Sequence, residues 1–216
     1  MDIGKAFTFT FEDEDWLPKI LVGGLFALLS VVLIGVPFVY GYYLETMKNV
    51  YLGNPRPLPK WGDGYDALFT KGLKAIVGLV IWSLPGILVA CLFGGLSGAA
   101  GSGSAANQDT FNAVYWCGQC LSSLYSIAVY AIMPAALMKF SVSGEIGEFF
   151  KFGEIFRFIS RNLGNYIIAI IVGWLATLVG YVGIIGCLVG IVFTFFWSLL
   201  VGAHLYGQVY RLAKPA

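Results

Sequence analysis

A few side chains in this 216-residue chain have types and spacings that could do chemistry. Cys117-Gly118-Gln119-Cys120 has the gap of a redox pair or of half a metal site, which needs an accessible polar setting or two further ligands. His204 is the single histidine. It excludes a histidine-rich metal centre, and its functional reading is a proton-sensitive or ligand-contacting group beside Tyr206 and Gln208. Gln119 carries an amide that must find a partner if lipid surrounds it, on a neighbouring helix or in a pore or ligand site. Asp63, followed by Gly64, and Asp66 could meet a cation, but a full set of oxygen ligands at loop spacing is missing.

Each of these has a plainer reading. The paired cysteines, with Cys91 and Cys187, fall in charge-free sequence, where a thiol acts as a small apolar packing group and reports no disulfide framework. His204 reads as a structural or interfacial residue, Gln119 as an interhelical hydrogen bond, and the aspartates as solvated loop carboxylates. No nucleophile motif, phosphate-cradling glycine loop, HExxH or intramembrane acid pair occurs. The expectation is a non-enzyme with no catalytic residue, metal or cofactor.

The elements that must position these groups follow from the charge pattern. At 58% apolar and 12% charged residues, the composition lies outside the soluble range. Charged residues are absent from residues 20–44, 75–108, 110–138 and 162–210, runs of 25, 34, 29 and 49 residues. About 20 apolar residues suffice to cross a bilayer core. A soluble helix of such length would need a polar face, and none of these runs has one. Within lipid only helices or a closed barrel satisfy the backbone, and unbroken apolar stretches such as Ile76 to Ile81 exclude the alternation of barrel strands. A net charge of +1 gives no reason to expect nucleic acid. The acidic Glu12-Asp13-Glu14-Asp15 is the opposite of a signal-peptide start, so the first apolar run is expected to stay as an anchor.

The expected fold is an all-α integral membrane protein of five to six membrane helices or half-helices in helical hairpins, with amphipathic interfacial elbows. It reads as a single polytopic domain over residues 1–216. Residues 1–19 form an interfacial lead-in in which Trp16 suits the membrane boundary. Membrane segments are expected at 20–44, 75–98, 111–138, 164–181 and 187–210, and cytoplasmic elbows at 45–74 and 139–161. The first elbow contains Pro55, Pro57 and Pro59, which favour extended chain, and ends in a short helix near Tyr65 to Lys71. Residues 99–109 form a small-residue linker.

From Gly144 to Arg161, Glu145, Glu148, Lys151, Glu154, Arg157 and Arg161 alternate at helical spacing with Phe149, Phe150, Phe156 and Ile159, which predicts an amphipathic helix on the membrane surface. The last charge-free run would reach about 73 Å as one helix, more than twice the ~30 Å core, so it must fold back, with residues 180–186 as the turn. Trp16-Leu17-Pro18-Lys19, Leu68-Phe69-Thr70-Lys71 and Phe158-Ile159-Ser160-Arg161 mark three elbow-plus-hairpin units.

Two topologies stay open for residues 20–44: one tilted crossing, or two half-helices bent at Gly35-Val36-Pro37. With five crossings, eleven of the 13 basic residues share one side; with a re-entrant first hairpin all 13 do. Either way the long polar loops and the C-terminus are placed in the cytoplasm. Glycine supplies 28 residues. Gly94 with Gly98 and Gly186 with Gly190 have the four-residue spacing of close helix contacts, read first as intrachain packing and second as a self-association face.

Asp15-Trp16-Leu17-Pro18-Lys19, Gly41-Tyr42, Leu58-Pro59-Lys60-Trp61-Gly62-Asp63, Leu68-Phe69 and Gly72-Leu73-Lys74 occur in an order that resembles the prokaryotic membrane-protein family named for domain of unknown function 4013 (DUF4013). Lys60 departs from the acidic residue more common there. The resemblance covers most of the chain and implies a multi-helix domain in a bacterial or archaeal cell membrane, without an activity or catalytic residue to carry over.

The leading functional expectation is a membrane scaffold or accessory subunit whose partners are the lipid bilayer and a second copy or another membrane protein. The alternative is a small permease or channel for a neutral or lipid-like solute, with broken segments near Gly35-Pro37 and Pro85-Gly86. A lipid or quinone enzyme would need Gln119, Tyr125, Asn165 and His204 to meet.

Overall fold

The computed structural model describes residues 1–62, 64–101, 108–183 and 187–213. The described chain is helical: α1 (Ile3–Thr8), α2 (Trp16–Leu29), α3 (Val36–Leu52), α4 (Tyr65–Ala100), α5 (Gln108–Ser143), α6 (Phe152–Arg161), α7 (Leu163–Tyr181) and α8 (Cys187–Leu212). Four of these are long and apolar enough to cross a membrane: α4, α5, α7 and the Gly190–Leu212 part of α8. With the shorter α2 and α3 they make the expected helical membrane protein of full and half helices. The chain divides into two compact units, Met1–Ile76 with Pro134–Ala216, and Val77–Met133.

In the first unit α8 is central, packing against α1, α2, α3 and α7. Small residues let it approach. A Cβ on Gly23 or Gly24 of α2 would overlap the rings of Phe196 and Phe193, and one on Gly207 would come within 2.7 Å of the Met47 carbonyl oxygen. The α7–α8 contact is closed at its far end by Thr194, whose hydroxyl donates to the Gly180 carbonyl at 2.6 Å. There Gly190 faces Gly183 so closely that a Cβ would stand 2.7 Å from its carbonyl oxygen. Gly190 thus packs against Gly183 within the chain. Residues 184–186 of the expected turn, Gly186 among them, lie outside the described residues, as do Asp63 and residues 102–107 of the linker.

The first charge-free run is a hairpin and not a crossing. The 14 residues of α2 and 17 of α3 are joined through a 3₁₀ turn at Ser30–Val32. Each helix is shorter than the ~20 residues a crossing needs. Residues flanking the pair return to one place: Arg56 Nη2 lies 2.6 Å from Glu14 Oε1, and Lys19 Nζ lies 3.3 Å from the Leu58 carbonyl. The tip is apolar and uncovered, with Val31 82%, Leu33 75% and Ile34 63% exposed, an arrangement suited to lipid and costly in water. Leu33 adopts φ +66°, a left-handed conformation that strains a side-chain-bearing residue.

α3 starts behind Gly35 with Pro37 in its first turn, where a missing N–H costs nothing. It ends at Gly53, whose φ of +78° suits the left-handed cap. A chain entering α4 then crosses α3 at backbone contact. A Cβ on Gly41 would overlap the Leu68 carbonyl, and one on Gly72 would overlap the Pro37 carbonyl. The short helix expected near Tyr65 to Lys71 is not separate; it is the first two turns of α4, which continues without a break. Pro85 likewise does not interrupt α4, so the break expected there is absent, whereas the one near Gly35 is present as the hairpin turn.

The second unit is the remainder of α4 and α5. Its helices meet where glycine makes room: Gly86 against the Tyr125 ring and Gly118 against Phe93. The Tyr125 hydroxyl donates to the Trp82 carbonyl at 2.7 Å. The rest of the surface is uncovered, only 11% of the most apolar stretch of α4 being buried. Gly94 and Gly98 have open space around them. Among the described residues, no neighbour lies within 4 Å of a Cβ built at either position of that pair.

Gly72→Ala is expected to destabilise the protein by about 1–3 kcal/mol, the usual cost of overpacking, and Gly94→Ala to stay within about 0.5 kcal/mol. Thermal unfolding in detergent, followed by tryptophan fluorescence, compares them; coincident midpoints would refute the close crossing of α3 and α4.

Candidate functional site

The polar chemistry of the first unit gathers where the N-terminal segment, the proline-rich loop and the end of α8 meet. Asp2 caps α1, its carboxylate accepting from the Lys5 N–H at 2.9 Å. The backbone of Asp2 is held by Gln208, whose Oε1 accepts from the Asp2 N–H at 2.6 Å and whose Nε2 donates to the Asp2 carbonyl at 2.8 Å. Those two bonds orient the amide, so its nitrogen faces His204 Nδ1 at 2.8 Å as a donor. His204 is buried and stacks on Phe9 with ring centroids 4.4 Å apart. The structure therefore places His204 as part of a clamp on the N-terminal segment.

Deeper in the unit lies a buried ion pair. Asp13 Oδ2 accepts from Lys19 Nζ at 2.6 Å, with the side chains only 3% and 9% exposed. Such a pair persists because its remaining valences are filled. Lys19 Nζ also donates to the Leu58 carbonyl, and the Asp13 carboxylate accepts from the Asp15 N–H at 3.0 Å. Trp61 Nε1 donates to the Lys19 carbonyl at 2.9 Å, and the Tyr42 hydroxyl donates to the Pro59 carbonyl at 3.0 Å. The Trp61 ring stacks on Tyr42 and Phe26 at 4.4 and 5.0 Å. Lys19, Tyr42, Leu58, Trp61, Gly41 and Gly72 thus come from separate short motifs and meet in one knot. What this knot can do is hold the α2–α3 hairpin and the loop to each other.

A second polar knot fastens α6. Lys139, near the end of α5, pairs with Glu154 of α6 and lies 3.6 Å from Glu148, which accepts from Lys151 at 2.7 Å. The hydrogen bond from Lys139 holds the Glu154 carboxyl below the usual range, and that to Glu148 raises Lys151. Ile155 is buried, while Phe152 and Phe156 face outward.

The other predicted candidates do not join these knots. Gln119 is exposed on α5, and Asn165 is exposed on α7. Tyr125 is committed to Trp82. Cys91, Cys117 and Cys120 are free and exposed. Among the described residues no three His, Cys, Asp or Glu side chains gather as a metal site. Sequence reasoning missed the Asp13–Lys19 pair, because its members lie six positions apart across the start of α2, Asp13 before the helix and Lys19 in its first turn, so no periodicity joins them. The motif order around Lys19 and Trp61 was the available signal.

Breaking the buried pair from one side, with Lys19→Met or Asp13→Ala, is expected to cost about 3–5 kcal/mol. The double replacement should cost less than the sum of the two. A double-mutant cycle by chemical unfolding in detergent checks this, and strict additivity would sink the claim.

The Glu154 bond also sets a pH response. A carboxyl whose folded pKa lies below its ordinary 4.5 stabilises above that value, and the contribution disappears as pH falls through the lower folded pKa. Amide exchange in residues 152–161, corrected for intrinsic rates, should accelerate on acidification across that range. Glu154→Gln should remove the step; an unchanged step in the variant would exclude Glu154 as its origin.

A family model for a protein of unknown function, DUF4013, matches residues 24–202. No curated protein and no solved structure matches the chain.

Proposed function

The chain belongs to the DUF4013 family of unknown function, and from that premise we propose that it acts as a non-enzymatic scaffold or accessory subunit in a prokaryotic cell membrane. The observation that carries this reading is the uncovered second unit. Along α4 and α5, Leu88, Leu92, Leu96, Trp116 and Leu124 are exposed, and the open backbone at Gly94 and Gly98 lies on the same hairpin. Large apolar side chains there suit acyl chains, and the small residues admit the backbone of another helix. The partner is a second copy or another membrane protein.

The polar end of the first unit is assigned to the cytoplasm. Lys5, Lys19, Lys48, Arg56, Lys71, Lys139 and Lys151 all pair with carboxylates of the first unit, and basic residues beside membrane segments are retained inside. In this placement α6 lies on the membrane surface, with Phe152 and Phe156 toward lipid and Arg157 and Arg161 toward headgroups. The permease alternative gains only the hairpin break near Gly35, since α4 runs unbroken through Pro85.

In a background without native cysteines, Gln108→Cys should react with an impermeant maleimide on intact cells and Lys151→Cys only after permeabilisation. Gly94→Cys should then crosslink to a second copy or to a recurrent membrane partner. Reversed labelling overturns the orientation, and strictly monomeric behaviour in nanodiscs and in native membranes overturns the scaffold.

A further inference from the structure

The first unit has a lysine-lined cleft that the scaffold reading does not use. It is an open cavity of about 650 Å³ between α3, the loop before α4, the first turns of α4 and the end of α5. Lys48 comes from α3, Lys60 from the loop, and Lys71 and Lys74 from α4. Two carboxylates share the cleft, Glu45 and Asp66. Glu45 is engaged twice: Lys71 Nζ lies 2.6 Å from its Oε2 and Lys48 Nζ 3.7 Å from its Oε1. Lys60 and Lys74 are exposed and, among the described residues, have no ion pair. Among the described residues, four lysines against two carboxylates leave two positive charges in this concavity. The Ser143 hydroxyl, whose oxygen accepts from the Glu145 N–H at 3.1 Å, keeps its own proton for a further acceptor.

We propose that this cleft binds the phosphate headgroup of an anionic phospholipid. Lysine ammonium groups are compact point charges that bind phosphate without a fixed planar geometry. Two uncompensated lysines with a nearby hydroxyl donor match a singly charged phosphodiester. The cavity lies within the about 300–1,000 Å³ of small-ligand sites. Its position selects a lipid over a soluble anion. On α4 the charge-free run begins at Ala75, directly after Lys74, and on α5 the corresponding run ends at Met138, three residues before Ser141 of the cleft wall. The lysines therefore stand where two membrane helices leave the hydrocarbon, at the level of lipid headgroups. Beside them on α4, Phe69 and Leu73 are exposed apolar side chains of the first unit, placed to meet the glycerol and upper acyl region of a lipid whose phosphate is in the cleft. Anionic lipids are enriched on the cytoplasmic surface and are attracted by basic residues near it.

The test uses the full chain, delipidated in detergent and titrated with short-chain phosphatidylglycerol, phosphatidylcholine or inorganic phosphate under native mass spectrometry. Wild type should bind phosphatidylglycerol in preference to phosphatidylcholine. Lys60→Gln with Lys74→Gln should weaken that binding about 10–30-fold, and Lys60→Arg with Lys74→Arg should retain it. Both lysines are exposed, so the thermal midpoint of the Gln variant should match wild type. A photoactivatable phosphatidylglycerol should label wild-type peptides covering residues 60–74 and 141–144, an arm that does not depend on any variant folding. Equal affinity for the two lipids, undiminished binding by the Gln pair, or labelling confined to other peptides would overturn the proposal. Saturation by inorganic phosphate with no preference for the lipid would overturn the lipid assignment in favour of a free anion.

Discussion

Gly41 and Gly72 bring the backbones of α3 and α4 into contact, since a Cβ on either would overlap a carbonyl oxygen of the facing helix. This crossing restricts where everything between the two helices can go. Residues 53–62 must turn back over α3 within a short reach, which presses Trp61 onto Tyr42 and carries the Leu58 carbonyl to Lys19. Two side chains then share the job of fastening the loop: Tyr42 through the Pro59 carbonyl and Asn49 through the Pro57 carbonyl, at 3.0 and 2.9 Å. Three prolines remove backbone donors along this stretch, so the loop offers mainly carbonyls, and the donors that meet them come from Lys19, Tyr42 and Asn49. The crossing also brings Lys71 and Lys74 beside Glu45 and Lys48.

Much of the architecture was legible from charge alone. Charge-free runs mark α4, α5, α7 and α8 because a bilayer tolerates no unpaired charge over such lengths. The 49-residue run had to fold back because no helix of that length fits a membrane, and Gly180 and Gly183 do sit where α7 meets α8. The first run was ambiguous for a physical reason: a tilted crossing and a hairpin place the same apolar residues in lipid, and only a contact such as Glu14–Arg56, across 42 residues, tells them apart.

Glycine spacing was a poorer guide. Gly94 and Gly98 have the pattern of a helix contact but meet no described neighbour, whereas Gly41 and Gly72, on different helices and in no repeat, bring two backbones together. Spacing within one helix states that a groove exists; which helix fills it depends on the partner's register, which no local pattern encodes. Proline misled in a similar way. Pro85 sits in the middle of α4 without breaking it, since a long helix loses one backbone bond there and keeps its packing elsewhere. His204 and Gln208, one helical turn apart on α8, were visible as a pair, but their shared partner Asp2 lies 206 positions from Gln208 and was not.

The two units answer different physical demands. In the first, buried and half-buried charged groups are paired between segments: Asp13 with Lys19, Glu45 with Lys71, Glu148 with Lys139. Each pair fixes one element to another, so the hairpin, the loop and α6 are tied by directional bonds as well as by apolar contact. In the second, the helices meet through glycine and aromatic rings, and the Tyr125 hydroxyl bonds across to the Trp82 carbonyl. A membrane hairpin needs little more, because lipid removes the hydrophobic penalty of leaving its outer face uncovered and its backbone is satisfied internally. Specific function is therefore most economically sought where charge has been retained at the membrane boundary, because there desolvation makes each unpaired lysine costly unless water or an anion attends it.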